Sequence, residues 1–339
     1  MRVWFNRTFS SVHTAIDLIR KADTAERFHL IYSNPNRYVP AASVAHQFFV
    51  EPTGLDADAY IDWCLAFCRE QRIDIFIPGK EASTLAAQHG RFAEAGTRVL
   101  SVAGPEQLAL MHDKARFYAE VHVPEAPVAE FRTFTNLAEF EAAHTELRAR
   151  HTTLCVKPSR SVFGLGFAVL DEKRSSAELL MAGIQYHIGV DDMRRGLAGM
   201  GEFRTMLLME YLEGREYSVD CVGDHGKLIA AVSRKKGTES GSAQRIDMRP
   251  EVIAATRRLA ADLGLNGNFN AQFREAGGAP RLLEINPRMS GGIGMACAAG
   301  PNLPYIALCG FADGFDKVEV PEVRNGARVI ELSVPAELT

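Results

Sequence analysis

Two short segments near the C-terminal end carry residue types that could do chemistry together: Asn270-Ala271-Gln272-Phe273 and Glu284-Ile285-Asn286-Pro287-Arg288. Both lie in runs with the alternation of β-strands. Asn270 and Gln272 therefore share one face of the first strand, and Glu284, Asn286 and Arg288 share a face of the second. If residues 276–280 form a hairpin loop, Gln272 stands opposite Glu284 and Asn270 opposite Asn286. Gln272, Glu284 and Asn286 are oxygen donors with one formal negative charge between them. Such a set suits Mg²⁺ whose other ligands are phosphates and water. The plainer reading is a solvated polar sheet face.

Two further clusters precede it. In LLMEYLEGREYSVD an apolar strand ends at Glu210-Tyr211-Leu212, turns at Gly214 and resumes from Glu216, with Glu216, Ser218 and Asp220 on one face. A carboxylate at a strand end can read an adenine edge, and a second can accept from ribose hydroxyls; taken alone, the segment reads more simply as a plain hairpin with charged flanks. In VKPSRSVFGLGFAVL, Lys157 ends a buried strand and Gly164 and Gly166 punctuate a hydroxyl-rich loop. Lysine supplies a point charge for phosphate, and glycines let backbone N–H groups approach it. This is not a P-loop, because no GK[ST] opens a helix here.

In this order and spacing, with His112-Asp113-Lys114 upstream and Met289-Ser290-Gly291-Gly292 downstream, the clusters resemble the ATP-grasp superfamily. The pattern is most similar to its carbamoyl-phosphate-synthetase-like members, and a weaker likeness points to the branch associated with tellurite-resistance operons. The resemblance implies that Lys114 and Lys157 contact the α- and β-phosphates of ATP. The 159–166 loop, with Ser161, Gly164 and Gly166, would close over them. Glu210 would accept from the adenine amino group, the backbone at Tyr211 and Leu212 would form the hinge, and Glu216 would hold the ribose. Gln272, Glu284 and Asn286 would bind two Mg²⁺ ions (or Mn²⁺), with Glu284 bridging. Arg288 would face the transferring phosphoryl group or the acyl phosphate, so that Glu284, Asn286 and Arg288 form the catalytic set. Gln272 departs from the acidic first ligand of many members, although neutral Gln occurs in the carbamoyl-phosphate-synthetase-like group. The implied activity is a ligase joining a carboxylate to an amine or similar nucleophile through an acyl phosphate, with release of ADP and phosphate. The rival readings are an ATP-binding regulatory module without turnover and an ATP-grasp kinase.

The elements that must position these residues follow from the rest of the chain. Its 339 residues are about twice a typical domain. The composition, 47% apolar and 24% charged, is that of a folded chain with a sizeable core. Residues 1–105 alternate strand and helix signals (RVWFN, FHLIYS, HQFFV, DIFIP and RVLSV, with helices near 12–19, at 57–71 and at 81–95), which implies an α/β domain with a parallel sheet. Its first strand-to-helix turn, FNRTFSS, lacks the glycines of a dinucleotide fingerprint, which argues against a dehydrogenase. From 106 to 339 an α+β body is expected. Its helices are placed at 106–120, 136–149, 175–187 and 250–263, with a lid subdomain at about 125–208 and a mostly antiparallel, metal-bearing subdomain at about 209–339. Arg234, Lys235 and Lys236 either bind an anionic substrate or form a solvated run.

A formal charge of −4 with no long basic run argues against nucleic acid as a partner. The absence of a long apolar run argues against a membrane span. Six dispersed cysteines fit a reduced, cytoplasmic setting. Small-molecule carboxylate and amine substrates are the expected partners, and a homodimer is left open. His151 and the other isolated histidines read as surface or core residues.

Overall fold

The computed structural model describes residues 1–8, 11–161, 164–237 and 242–335. The chain forms two compact units: residues 1–109, 215–273 and 285–339 make the first, and 110–214 with 274–284 the second.

The first unit opens with five parallel strands in the spatial order Gln47–Val50, His29–Asn34, Arg2–Phe5, Ile75–Ile77, Arg98–Val99. Each coincides with a strand expected from the sequence. They are legible because a parallel sheet covered on both faces reads as apolar runs between turn signals. Val3 and Phe5 pack toward the helix Val12–Ala22, whereas Trp4 and Phe76 pack toward the helix Ala57–Gln71. Connections leave the central strand in opposite directions. A crevice therefore opens beyond the carboxyl ends of Arg2–Phe5 and Ile75–Ile77, the usual place for a ligand in such a sheet.

The same unit contains the strands Glu216–Asp224 and Lys227–Lys235, paired antiparallel around His225 and Gly226, both with positive φ as a two-residue hairpin turn requires. The helix Leu303–Asp313 is apolar almost all round, and the reason is its double burial. Leu308 and Cys309 enter the core of the N-terminal sheet, and Leu303, Ile306 and Ala307 enter the core beneath Val222 and Val232. Asn302 fixes its start, accepting from the Tyr305 N–H and donating to the Leu18 carbonyl at 2.8 Å.

The second unit holds a sheet ordered Phe131–Phe134, Met206–Glu210, Leu154–Pro158, Ala168–Asp171, His187–Gly189, antiparallel except for its last pair. The helix Leu137–Arg148, capped by the Asn136 side chain, lays Phe140, Ala143 and Leu147 on it. The hairpin strands Gly267–Ala276 and Ala279–Asn286 continue the sheet of Glu216–Asp224, and residues 274–284 belong to the second unit.

Several elements differ from the sequence reading. The helix expected over 106–120 is two helices, Pro105–His112 and Lys114–Glu120, because Asp113 adopts an extended conformation and caps the second by accepting from the Arg116 N–H. The 81–95 helix is likewise split into Ala82–Ala86 and His89–Glu94, with Gly90 a weak helix former in the second. The helix near 175–187 stops at Met181, where Gly183 at φ 69° turns the chain toward the strand His187–Gly189. Beyond that strand the helix Val190–Ala198 forms, which the sequence reading did not place. The hairpin loop placed at 276–280 is only Gly277-Gly278, both with positive φ. Burial along the returning strand slips out of period between Leu282 and Ile285, an irregularity that the sequence pattern did not reveal.

Candidate active site

In the second unit, Asp113 and the Leu154–Pro158 strand position two lysines. The cap at Asp113 makes Lys114 the first helical residue, and its N–H donates to the Ser159 carbonyl at 2.9 Å. The Lys114 ammonium then donates to the Ser161 carbonyl at 3.0 Å and stands 3.6 Å from Glu284 Oε2. Lys157 Nζ donates to Tyr118 Oη at 2.6 Å, and that hydroxyl donates in turn to the Leu283 carbonyl. Burial pushes both lysines below the ordinary ammonium range, while Glu284 pulls them part of the way back. Lys114 beside Glu284, and Lys157 linked to the neighbouring Leu283 carbonyl through Tyr118, place two buried ammonium groups near a single carboxylate, where a phosphate would add counter-charge. Tyr118 was missed by the sequence reading; nothing in its local pattern marks it.

Gly164 and Gly166 sit at φ 68° and 82°, and a Cβ on Gly166 would lie 2.7 Å from Pro158 Cγ, so the glycine there is required sterically. The loop 159–166, expected to close over the phosphates, includes residues 162 and 163, which lie outside the described residues.

The strand Met206–Glu210 delivers the next group. Glu210 Oε1 lies 3.9 Å from His151 Nδ1, and the other ring nitrogen of His151 is 2.7 Å from Glu130 Oε2. His151 is thus a partnered structural histidine. The Tyr211 N–H donates to the Thr153 carbonyl, holding the start of the segment Tyr211–Gly214 to the sheet, and Leu212 is buried. Arg274, not singled out from sequence, clamps the segment. Its Nε donates to the Gly214 carbonyl at 3.0 Å, its Nη2 donates to Tyr211 Oη at 3.2 Å, and its guanidinium lies 5.0 Å from the Tyr211 ring centroid.

In the first unit, Glu216 pairs with Lys236, and Lys235 lies over the Tyr217 ring. Arg234 corrects the expectation of a solvated or substrate-binding run: it is 2% exposed and bonded to Asp220 Oδ2 at 2.8 Å, Ser218, Gln244 and Ser290. Asp220 and Ser218 also accept from the Asn270 amide, and Asn270 Oδ1 accepts from Gln272 Nε2 at 3.3 Å. A buried network thus runs from Arg234 to Gln272 and sets its amide, with Nε2 turned to Asn270. Through Ser290 the same arginine anchors the loop after Arg288. Gly292 packs flat on the guanidinium, where a Cβ would fall 2.5 Å from Nη1. Arg288 donates to Asn286 Oδ1 at 3.3 Å and to the Met289 carbonyl at 3.1 Å. Replacing Asp220 with Asn should leave a buried guanidinium without its counter-charge and cost about 1–3 kcal/mol. Urea unfolding of the two proteins checks this, and unchanged stability would show that Gln244 and the serines suffice.

Lys114, Lys157 and Glu284 are therefore brought together, as are Gln272 with the Asp220 network and Asn286 with Arg288. A sequence family described as ATP-grasp in the biosynthetic pathway with Ter operon matches residues 202–335. Over 295 residues the chain is 24% identical to the arginine-specific large chain of carbamoyl phosphate synthase from Geobacillus stearothermophilus, covering 83% of this chain and 25% of that one. Its structure superposes on N5-carboxyaminoimidazole ribonucleotide synthetase in complex with ADP at a TM-score of 0.69 and 14% identity, covering 96% of this chain and 80% of the other. Residues 202–335 thus match an ATP-grasp family, and the similarities along the rest of the chain support an ATP-grasp superfamily member. Carnosine synthase 1 of Mus musculus is 39% identical to the chain over 105 residues, 27% of this chain and 13% of that protein. The chain thus spans only about an eighth of the carnosine synthases it matches. Among its described residues no helix is long and apolar enough to cross a membrane.

Proposed function

We propose that the chain is an ATP- and Mg²⁺-dependent ligase that joins a carboxylate to an amine through an acyl phosphate. The observation that carries the reading is the cluster of Lys114 and Lys157 around Glu284, two residues before Asn286 on the same strand. A substrate carboxylate oxygen would attack the γ-phosphorus as the bond to the β-phosphate oxygen breaks, giving acyl phosphate and ADP. The amine nitrogen would then attack the acyl carbon, expelling phosphate and losing a proton to solvent. Such transfer needs positioning and charge neutralisation more than covalent help from the protein.

In the proposed assignment, Lys114 and Lys157 hold the α- and β-phosphates, and Ser161, Gly164 and Gly166 line the loop above them. Glu210, Tyr211 and Leu212 take the adenine and Glu216 the ribose. The metal-ligand assignment fits the donor chemistry: Gln272, Glu284 and Asn286 offer hard oxygens, and Glu284 and Asn286 attract the cationic groups of Lys114 and Arg288. When bound, Mg²⁺ would neutralise phosphate charge and polarise the γ-phosphoryl group. We also propose residues 1–105 as an N-terminal α/β domain preceding the ATP-grasp body, residues of about 125–208 as the lid, residues of about 209–339 as the metal-bearing subdomain, and a cytoplasmic setting. The six cysteines are buried free thiols, which suits a reducing compartment.

The experiment is a screen of acids paired with amines, read by nucleotide analysis. Turnover should yield ADP and phosphate in equal amounts, dependent on both substrates. AMP with pyrophosphate as the stoichiometric product would sink the acyl-phosphate route. A phosphorylated product that no amine consumes would favour the kinase reading instead.

A further inference from the structure

In the second unit the helix Lys114–Glu120 starts at the Asp113 cap, so Lys114 and Tyr118, four residues apart, lie on one face of it. Both side chains meet the strand Ala279–Asn286. Lys114 Nζ stands 3.6 Å from Glu284 Oε2, and Tyr118 donates its hydroxyl proton to the Leu283 carbonyl. A carbonyl only accepts, so that proton is committed and the Tyr118 oxygen is left to act as an acceptor. Lys157 Nζ donates to it at 2.6 Å, and the same ammonium lies 4.8 Å from the Tyr118 ring centroid. Packing holds the ring in place: Tyr118 is 3% exposed, and Phe131 meets it edge-on with centroids 5.5 Å apart.

We propose that Tyr118 is a positioning residue for the nucleotide, its hydroxyl aiming the Lys157 ammonium at the phosphates. This rests on the proposed assignment of Lys157 to phosphate and adds the group that sets it. A lysine ammonium rides on a flexible four-carbon stem, and ordering that stem when a phosphate arrives costs entropy. Tyr118 orders it beforehand. An ammonium has three N–H donors, so an anchor at Tyr118 keeps capacity for phosphate oxygens. The hydroxyl also helps to keep the lysine charged. Burial lowers the Lys157 pKa, whereas Cys155 on its own strand and Glu284 on the strand Ala279–Asn286 raise it. Lys114, on the helix that carries Tyr118, is a nearby like charge. An oxygen whose proton is already committed to Leu283 accepts from the ammonium and so favours the charged form.

Tyr118→Phe keeps the ring and its packing and removes only the hydroxyl. ADP affinity of the full chain, measured by calorimetry, should fall about ten- to a hundred-fold, as for loss of one hydrogen bond to a charged group. Lys157→Met should weaken ADP at least as much. Adding Tyr118→Phe to Lys157→Met should then change little, because the hydroxyl has no ammonium left to aim. ADP affinity should decline at alkaline pH as the ammonium deprotonates, and that decline should begin at lower pH in Tyr118→Phe. In Lys157→Arg, whose guanidinium does not titrate, adding Tyr118→Phe should cause no such shift. Additive losses in the double variant, or an unmoved alkaline limb, would leave Tyr118 a packing residue and overturn the inference. Weakening by Lys157→Met but not by Tyr118→Phe would overturn it and leave the phosphate assignment standing. ADP binding unaffected by Lys157→Met would overturn the assignment itself, and the inference with it. In the unsubstituted protein, NOEs between the Lys157 side chain and the Tyr118 ring should persist when ADP binds. Their loss would overturn the inference even if the Phe variant fails to fold.

Discussion

Replacing Glu284 with Gln should lower Mg²⁺-dependent turnover by about a hundred- to a thousand-fold, the effect of removing one strong electrostatic contributor from a closed site. Glu284 is the sole formal anion among the three proposed metal ligands, and Gln keeps its shape but not its charge. It also faces Lys114, whose side chain is only 11% exposed, so the substitution removes the nearest counter-charge of a buried ammonium. Two signatures follow. The Mg²⁺ concentration for half-maximal rate should rise, because a neutral amide binds a hard dication less well than a carboxylate does. Metal-free ADP binding should change far less, because the proposed adenine and ribose contacts lie at Glu210 and Glu216. Turnover close to that of the unsubstituted protein would refute the metal assignment.

Replacing Arg288 with Lys should lower kcat by about ten- to a thousand-fold, as for loss of one transition-state donor. Arg288 donates from two nitrogens in different directions, to Asn286 Oδ1 and to the Met289 carbonyl, and it borders the crevice beyond the strands Arg2–Phe5 and Ile75–Ile77. A planar guanidinium can hold those bonds and still present a fork to a carboxylate or phosphoryl group, whereas an ammonium offers one point of charge. The KM for ATP should move little, since Lys114, Lys157 and Glu216 are untouched. A Lys variant that keeps most of its kcat would reduce Arg288 to a loop-bracing residue.

Part of the candidate site is legible for a local reason. Alternation over Ala271–Phe273 and over Glu284–Asn286 marks Gln272, Glu284 and Asn286 as half-exposed polar positions beside the buried Ala271, Phe273 and Ile285, whereas the slip of period between Leu282 and Ile285 has no sequence signal. Asp113 was legible as a motif residue but not as the cap that breaks a helix and sets Lys114, because an isolated Asp within an apolar-periodic run signals no break.

By itself the sequence determined the parallel N-terminal strands, the order of the nucleotide-site motifs and the residue types at their ends. Continuous apolar runs, period-two alternation and turn residues act within a few positions of one another, and those signals survive in one dimension. Only the tertiary structure decided the rest. Arg234 lies in a run of three basic residues and reads as solvated, yet it is buried by partners 14 and 56 positions away, Asp220 and Ser290. Tyr118 meets Lys157 across 39 positions. The crevice is walled in part by the helix Leu303–Asp313, which returns to the carboxyl ends of strands formed by the first eighty residues. Desolvation of a charge depends on every chain segment that surrounds it, and no local spacing encodes that surrounding.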